Sequence, residues 1–242
     1  MLVAAAVCPH PPLLVPELAA GAAGELDGLR TACDGAVSAL LAVDTDLLVV
    51  VGDSPAVGPF AEGAWGSLAP YGVDITTSPP SGNRGSNPTE PSLPLSLTIG
   101  QWLLGRHDVD PVDTLYVGVS ADADAARCAE IGSALAGRAD RVTMLVMGDA
   151  SARRSLKGPG YLDERAPPYD ASVARALAEA DTDALLSLDP SLSSELLVAG
   201  RAAWQVLAGA AETGRWSAKV TFDEAPYGVA YLVATWTAAP PT

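Results

Sequence analysis

A continuous apolar run at residues 47–51 constrains the fold more than any other part of the sequence. It consists of leucine and valine alone and ends at Gly52, which is typical of a strand that is buried on both faces of a sheet. Residues 2–7 form a similar run, and between the two runs Leu29, Cys33 and Val37 recur at the spacing of one helical face. A strand, a helix and a second strand in this order predict an α/β fold with a largely parallel sheet.

The rest of the chain continues this alternation of strands and helices. The patterns predict helices around residues 93–104, 128–135, 173–177 and 196–211, and strands around residues 114–119, 142–147, 218–222 and 229–236. No repeat or linker interrupts the sequence, so we predict a single domain over residues 1–242. Two irregular stretches, at about 76–94 and 155–168, are predicted to be long loops, and loops of this length commonly cover or form binding sites.

The charge of the chain excludes several classes of partner. Its 14 Lys and Arg residues against 29 Asp and Glu give a net charge of −15, which repels nucleic-acid backbones and anionic lipid. Cys8, Cys33 and Cys128 show no zinc-like pairing and are expected to be reduced thiols. The apolar start is too short for a signal peptide or a membrane span. We therefore predict a cytoplasmic protein with no nucleic-acid or membrane partner; a monomer and a homo-oligomer both remain open.

Polar residues follow three of the predicted strands. His10 follows the first, Asp53 and Ser54 follow the second, and Asp149 and Ser151 follow a later one. Ligands of open α/β sheets bind beyond the carboxyl ends of the strands, so we expect these side chains at one edge of the sheet.

The two histidines of the sequence have different expected positions. His10 stands between prolines, which fix its direction, and both a structural role and a ligand-binding role remain open for it. His107 precedes a strand and is expected at the opposite edge of the sheet, away from any chemistry.

The Gly52-Asp53-Ser54 segment is also the kind of strand-end motif in which GDS-type hydrolases carry a nucleophilic serine. Those enzymes need a general-base histidine near the carboxyl end of the chain, and no histidine follows His107. A turn closed by the side chains of Asp53 and Ser54 explains the same residues more simply. A serine hydrolase is therefore a remote alternative.

The segment that begins at Cys8 and reads CPHPPLLVPE resembles the opening of the LigB-like superfamily of class III extradiol ring-cleavage dioxygenases. This superfamily includes the B subunit of protocatechuate 4,5-dioxygenase and the Memo proteins. The resemblance continues in order at residues 50–56, 93–104, 147–170, 199–201 and 225–234, and is greatest to divergent bacterial B-subunit-like proteins. It implies a central, mostly parallel sheet flanked by helices on both faces.

The resemblance also implies a set of site residues. In these enzymes two histidines and a glutamate hold Fe(II), and a further histidine acts as acid and base. His10 matches the first ligand, Ser54 stands beside Asp53 where the second is expected, Ser151 falls at the acid/base position, and Glu224 is the candidate carboxylate. A site of His10, Asp53 and Glu224 would be rich in oxygen, so it would favour Mg²⁺, Mn²⁺ or Ca²⁺ over Fe(II) or bind metal weakly.

Two functional classes follow. One is a divergent dioxygenase-like oxidoreductase with an incomplete site, which uses Fe(II) or another divalent metal and acts on an aromatic or other small anionic substrate. The other is a non-catalytic protein that binds a small molecule or a metal in the same crevice and needs no cofactor. In either class Ser54, Asp149 and Ser151 are candidate ligand-binding residues. Arg84, Arg153 and Arg154 are candidates for binding an anion, because arginine binds carboxylates in bidentate fashion.

Overall fold

The computed structural model describes residues 1–78, 89–108 and 112–239. The strands in this part of the chain are β1 (Leu2–Cys8), β2 (Leu47–Asp53), β3 (Gly58–Pro59), β4 (Thr114–Val119), β5 (Val142–Met147), β6 (Trp216–Glu224) and β7 (Tyr231–Ala238). The helices are α1 (Pro16–Ala19), α2 (Asp27–Leu41), α3 (Leu95–Leu104), α4 (Ala125–Ala136), α5 (Ala166–Glu179), α6 (Thr182–Leu186), α7 (Pro190–Glu195) and α8 (Arg201–Ala211). Short 3₁₀ turns connect several of them.

The strands form one sheet in the order β3-β4-β2-β5-β1-β7-β6. Its centre, β4-β2-β5-β1, is parallel, while β7 runs antiparallel to β1 and β6 runs antiparallel to β7. The predicted α/β class with a mostly parallel sheet is thus confirmed. The terminal hairpin extends the sheet on one side, so the whole sheet is mixed.

Helices cover both faces of this sheet. Helices α2 and α3 pack on one face, and α4, α5, α6 and α8 form the layer on the other. The apolar run of β2 serves both layers, since Val49 and Val51 face the α8 side while Leu48 and Val50 face the α3 side. All four side chains are fully buried, and burial of such a side chain contributes about 1.5–3 kcal/mol. No helix of the described residues has the length and apolar character needed to cross a membrane.

Helices α4 and α8 approach each other closely through glycines. A Cβ atom on Gly132 would collide with the carbonyl of Val206, and one on Gly209 would collide with the backbone of Ala129. This contact fixes α8 against α4 and so determines where the first residues of α8 lie at the carboxyl edge of the sheet.

The helix predicted at residues 196–211 is shorter than expected. Helix α7 ends at Glu195 and α8 begins at Arg201, with Leu197 between them in the left-handed region at φ 56°. The apolar side chains in this segment recur at helical spacing because both flanking helices face the same core, which the pattern does not distinguish from one continuous helix.

Candidate functional site

The ends of β1, β5 and β2 lie level at the carboxyl edge of the sheet. Cys8 pairs with Met147, and Met147 pairs with Gly52, so the residues after each strand emerge side by side. From β2 the chain passes to α3 on one face, and from β5 it passes to α5 on the other. Such a switch in the direction of the connections is where open α/β sheets bind ligands.

His10 and Asp149 meet at this edge. The backbone N–H of His10 donates to Oδ1 of Asp149 at 2.7 Å, and the imidazole Nδ1 lies 3.8 Å from the same oxygen. The His10 side chain is 9% exposed, and its Nδ1 has no hydrogen-bond partner among the described residues. The imidazole therefore lies beside a carboxylate, and its Nδ1 forms no hydrogen bond with the described residues.

Asp53 is half-buried and faces the α8 side of the sheet. Burial raises the pKa of its carboxyl, a nearby Asp122 raises it further, and His10 and the amides of Ser54 and Ala121 partly oppose the rise. Asp53 lines a cavity of about 700 Å³ that reaches the loop after β4, α7 and the first turn of α8. The sequence predicted Asp53 at this edge, and the structure shows that it lines a cavity there.

Ser54 is buried and its hydroxyl is used within its own turn. The Oγ donates to the carbonyl of Ala56 at 2.7 Å and accepts from the Ala56 N–H at 3.1 Å. A Cβ on Gly118, in the neighbouring strand, would lie 2.7 Å from the Ser54 Cβ, so the side chain packs against the sheet. The turn expected from the sequence is present, and the oxygen that a hydrolase would use as its nucleophile is already bonded.

Ser151 belongs to a buried hydrogen-bond network. Its hydroxyl donates to Oδ2 of Asp170 at 2.6 Å, its N–H donates to Oδ1 at 2.9 Å, and Arg154 donates to the same carboxylate at 2.9 Å. Arg153 donates to the carbonyl of Gly160 at 2.6 Å. Arg153 and Arg154, two of the three candidates for binding an anion, thus hold the loop after β5 in place. The position that the resemblance assigns to the acid/base residue is part of this network.

Glu224 ends the outermost strand, β6, and is exposed. Strand β7 separates β6 from β1, so the ends of β6 and β1 are about 10 Å apart at the usual strand spacing. Within residues 1–78, 89–108 and 112–239, no three His, Cys, Asp or Glu side chains come together as a metal site. The set of His10, Asp53 and Glu224 does not fit Fe(II) in this arrangement, and its metal-binding role stays a prediction.

His107 lies toward the opposite edge of the sheet. Its Nε2 is 3.8 Å from Oδ1 of Asp34 in α2, and the next residue, Asp108, lines a separate cavity of about 600 Å³ with Asp46 and Asp113, which precede β2 and β4. This is the edge at which the sequence predicts it. Arg84 and the centre of the loop at 76–94 lie outside the described residues.

The sequence did not predict Asp122 and Arg201 in the cavity wall. Arg201 is 3% exposed and donates to the carbonyls of Ala121 and Ala123 and to Oε1 of Gln205. It thereby ties the loop after β4, which carries Asp122, to the start of α8. The segment between α7 and α8 lines the cavity. Because the sequence pattern predicted one continuous helix over residues 196–211, it gave no sign of a cavity there.

No family model and no curated protein matches this chain. Among solved structures it is similar to the crystal structure of the uncharacterized protein JW3007 from Escherichia coli K12. The TM-score is 0.55 at 12% sequence identity, and the match covers 97% of this chain and 99% of that chain. At this identity, the similarity shows that the two proteins share a fold over nearly their whole length.

Proposed function

We propose that the chain is a non-catalytic small-molecule-binding protein on a LigB-like fold, with its ligand in the cavity beside Asp53. One observation carries this proposal: Ser151, at the position that the resemblance assigns to the acid/base residue, is bonded to the buried Asp170 at 2.6 Å. A serine hydroxyl does not ionise near neutral pH and so cannot replace a histidine as general acid and base, and loss of such a group costs about 10²–10⁴ in rate. The crevice remains, whereas the proton-transfer group of the resembled enzymes is replaced.

The cavity has the features of a small-molecule site. Its volume, about 700 Å³, falls in the usual range for ligand pockets, and it lies at the carboxyl edge of the sheet beyond the ends of the adjacent strands β2 and β4. Apolar Leu197 and Val198 and the carboxylate of Asp53 line the same space. Apolar walls with a few polar groups are what small-molecule pockets generally present.

A thermal-denaturation screen with small polar metabolites tests this proposal. A ligand at 100 times its Kd stabilises the folded state by about 2.7 kcal/mol, which for a chain of this size raises Tm by at least about 5 °C. Ser194→Trp places an indole in the cavity, so it should abolish the shift. Ser38→Trp, an exposed serine of α2 on the other face of the sheet, is the matched control and should keep it.

Two outcomes would contradict small-molecule binding in this cavity. One is a screen in which no compound raises Tm for the wild-type protein. The other is a ligand whose shift is the same in Ser194→Trp and Ser38→Trp, because that ligand binds elsewhere.

A metal-dependent enzyme with an altered site is the second candidate. The observation that favours it is the unpartnered Nδ1 of His10, buried 3.8 Å from the Asp149 carboxylate. Metal analysis of purified protein, before and after anaerobic loading with Fe(II), tests this candidate. Stoichiometric metal that is lost in His10→Ala, together with turnover of a substrate, would favour it over the non-catalytic proposal.

A further inference from the structure

The charged groups of the cavity beside Asp53 determine which ligands it can hold. Asp53 and Asp122 both line it, and neither carboxylate forms an ion pair within the described part of the chain. Asp53 is half-buried, so its charge is less well solvated than a charge on the surface. The cavity therefore presents two carboxylates that no cationic side chain of residues 1–78, 89–108 and 112–239 pairs at ion-pair distance; His10 acts on Asp53 only from farther away.

Arg201 does not supply that counter-ion. Its guanidinium is bonded to the carbonyls of Ala121 and Ala123 and to the side-chain oxygen of Gln205, and the residue is 3% exposed. These bonds hold both Nη1 and Nη2 of the guanidinium against the wall. An anionic ligand would thus meet two carboxylates and a guanidinium that is already bonded to the wall, whereas a cationic ligand would meet two carboxylates that form no ion pair within the described residues.

The remaining wall combines serines of α7 with apolar side chains, and it includes an unusual backbone conformation. Pro190, Val198 and Ala202 line the cavity together with Leu197, whose side chain is 46% exposed. Leu197 has a φ of 56°, a region that branched and bulky residues rarely adopt, and the bond from its N–H to the carbonyl of Ser194 holds it there. A ligand in this cavity would place an apolar group against these side chains.

We propose that the ligand of this cavity is a protonated organic amine with a small apolar body. This inference rests on the proposed small-molecule function and names the ligand class. The ammonium group pairs with Asp53, with Asp122 close enough to add to the attraction, and the hydrocarbon part packs on Leu197 and Val198. An ion pair formed in this half-buried position is screened less by water than a surface pair, so charge should dominate the selectivity.

Three cyclohexyl compounds of similar shape separate charge from hydrophobic contact. Cyclohexylamine, cyclohexanol and cyclohexanecarboxylate are titrated into the protein by calorimetry. We expect the amine to bind at least about tenfold more tightly than the alcohol, since a bond to a charged group is worth at least that factor, and the carboxylate not to bind.

Substitutions assign the binding to the two carboxylates. Asp53→Asn should weaken amine binding by about tenfold, and Asp122→Asn, at an exposed position, by about two- to fivefold. Asp108→Asn, in the separate cavity at the amino edge, should leave the affinity unchanged. Circular dichroism of each variant checks that it is folded.

The results separate this inference from the proposal on which it rests. Binding of the carboxylate as tight as that of the amine, or amine binding unaffected by Asp53→Asn, would overturn the amine assignment. If no cyclohexyl compound binds but the thermal screen finds a ligand that Ser194→Trp blocks, the amine assignment fails and small-molecule binding stands. If neither experiment finds a ligand, both fail.

Discussion

The Ser151 hydroxyl lies 2.6 Å from Oδ2 of Asp170, a residue that is 1% exposed. The same carboxylate accepts a bond from Arg154 and one from the Ser151 N–H. Asp170 belongs to α5 and Ser151 follows β5, so the network joins the carboxyl edge of the sheet to the helix layer. A buried carboxylate is tolerated when it is paired and hydrogen-bonded in this way, and the network holds Ser151, at the position that the resemblance assigns to the acid/base residue, against α5.

Asp170→Asn should destabilise the protein by about 2–3 kcal/mol. The amide keeps the shape of the side chain but loses the charge-assisted bonds and leaves the Arg154 cation unpaired. Urea denaturation measures the change. Glu130→Gln, which breaks the exposed Arg127–Glu130 pair, is the control and should cost less than about 1 kcal/mol. Equal effects of the two substitutions would show that the network contributes little.

Asp53→Asn should make the protein more stable at neutral pH. Burial raises the folded-state pKa of Asp53 above its ordinary value of 3.8, so the ionised carboxylate lowers stability at pH 7. That cost is relieved as the pH falls through the folded pKa and is absent below 3.8. The advantage of the variant should therefore disappear in acid, as measured by urea denaturation from pH 7 to pH 3. An advantage independent of pH would contradict this cause.

Asp34→Asn provides a control of opposite sign. A hydrogen bond from Arg106 lowers the pKa of Asp34, so the ionised carboxylate contributes stability above its unfolded pKa and loses it as the pH falls through the folded pKa. The variant should thus be less stable than the wild type at pH 7 and approach it in acid.

Gly209→Ala should destabilise the protein by about 2 kcal/mol or more. The added methyl group would collide with the backbone of Ala129 and force α8 away from α4, a cost that exceeds the gain in helix propensity of about 1 kcal/mol. Gly35→Ala in α2, where a Cβ meets nothing within 4 Å, should instead raise stability by up to about 1 kcal/mol. Urea denaturation compares the two. Equal gains would show that the helices are not in close contact.

Leu197→Gly should leave stability unchanged or raise it by up to about 1 kcal/mol. Glycine adopts a φ of 56° without the clash that leucine suffers, and the lost side chain is 46% exposed. Leu156→Gly, at an exposed leucine with ordinary φ, should lower stability because glycine gains freedom in the unfolded chain. A loss above about 1 kcal/mol for Leu197→Gly, measured by thermal denaturation, would contradict strain at this position.

The sequence predicts the central strands well, because their side chains are buried on both faces. The apolar runs predicted strands at residues 114–119 and 142–147, and β4 and β5 have the same first and last residues in the structure. The strand-end rule also places His10, Asp53 and Asp149 at one edge, because parallel strands that share a register also share an end.

The hydrophobic pattern of the sequence does not predict which side chains bond to each other or which residues line the cavity. Nothing in the spacing of Ser151 and Asp170 indicates that they meet, since α5 approaches β5 only through tertiary packing. Arg201 was part of the resemblance, but its bonds to the loop after β4 connect residues about 80 positions apart. Local periodicity does not contain such contacts, so Asp122 and the cavity could not be predicted.

Ring cleavage is the activity that most directly separates a binding protein from an enzyme on this fold. The protein is loaded anaerobically with Fe(II), mixed with protocatechuate or catechol, and then exposed to oxygen while the yellow ring-opened product is followed by absorbance. With one imidazole at the edge and Ser151 bonded to Asp170, we predict a rate no higher than that of His10→Ala treated in the same way. Rapid product formation by the wild-type protein that is lost in His10→Ala would contradict the non-catalytic function.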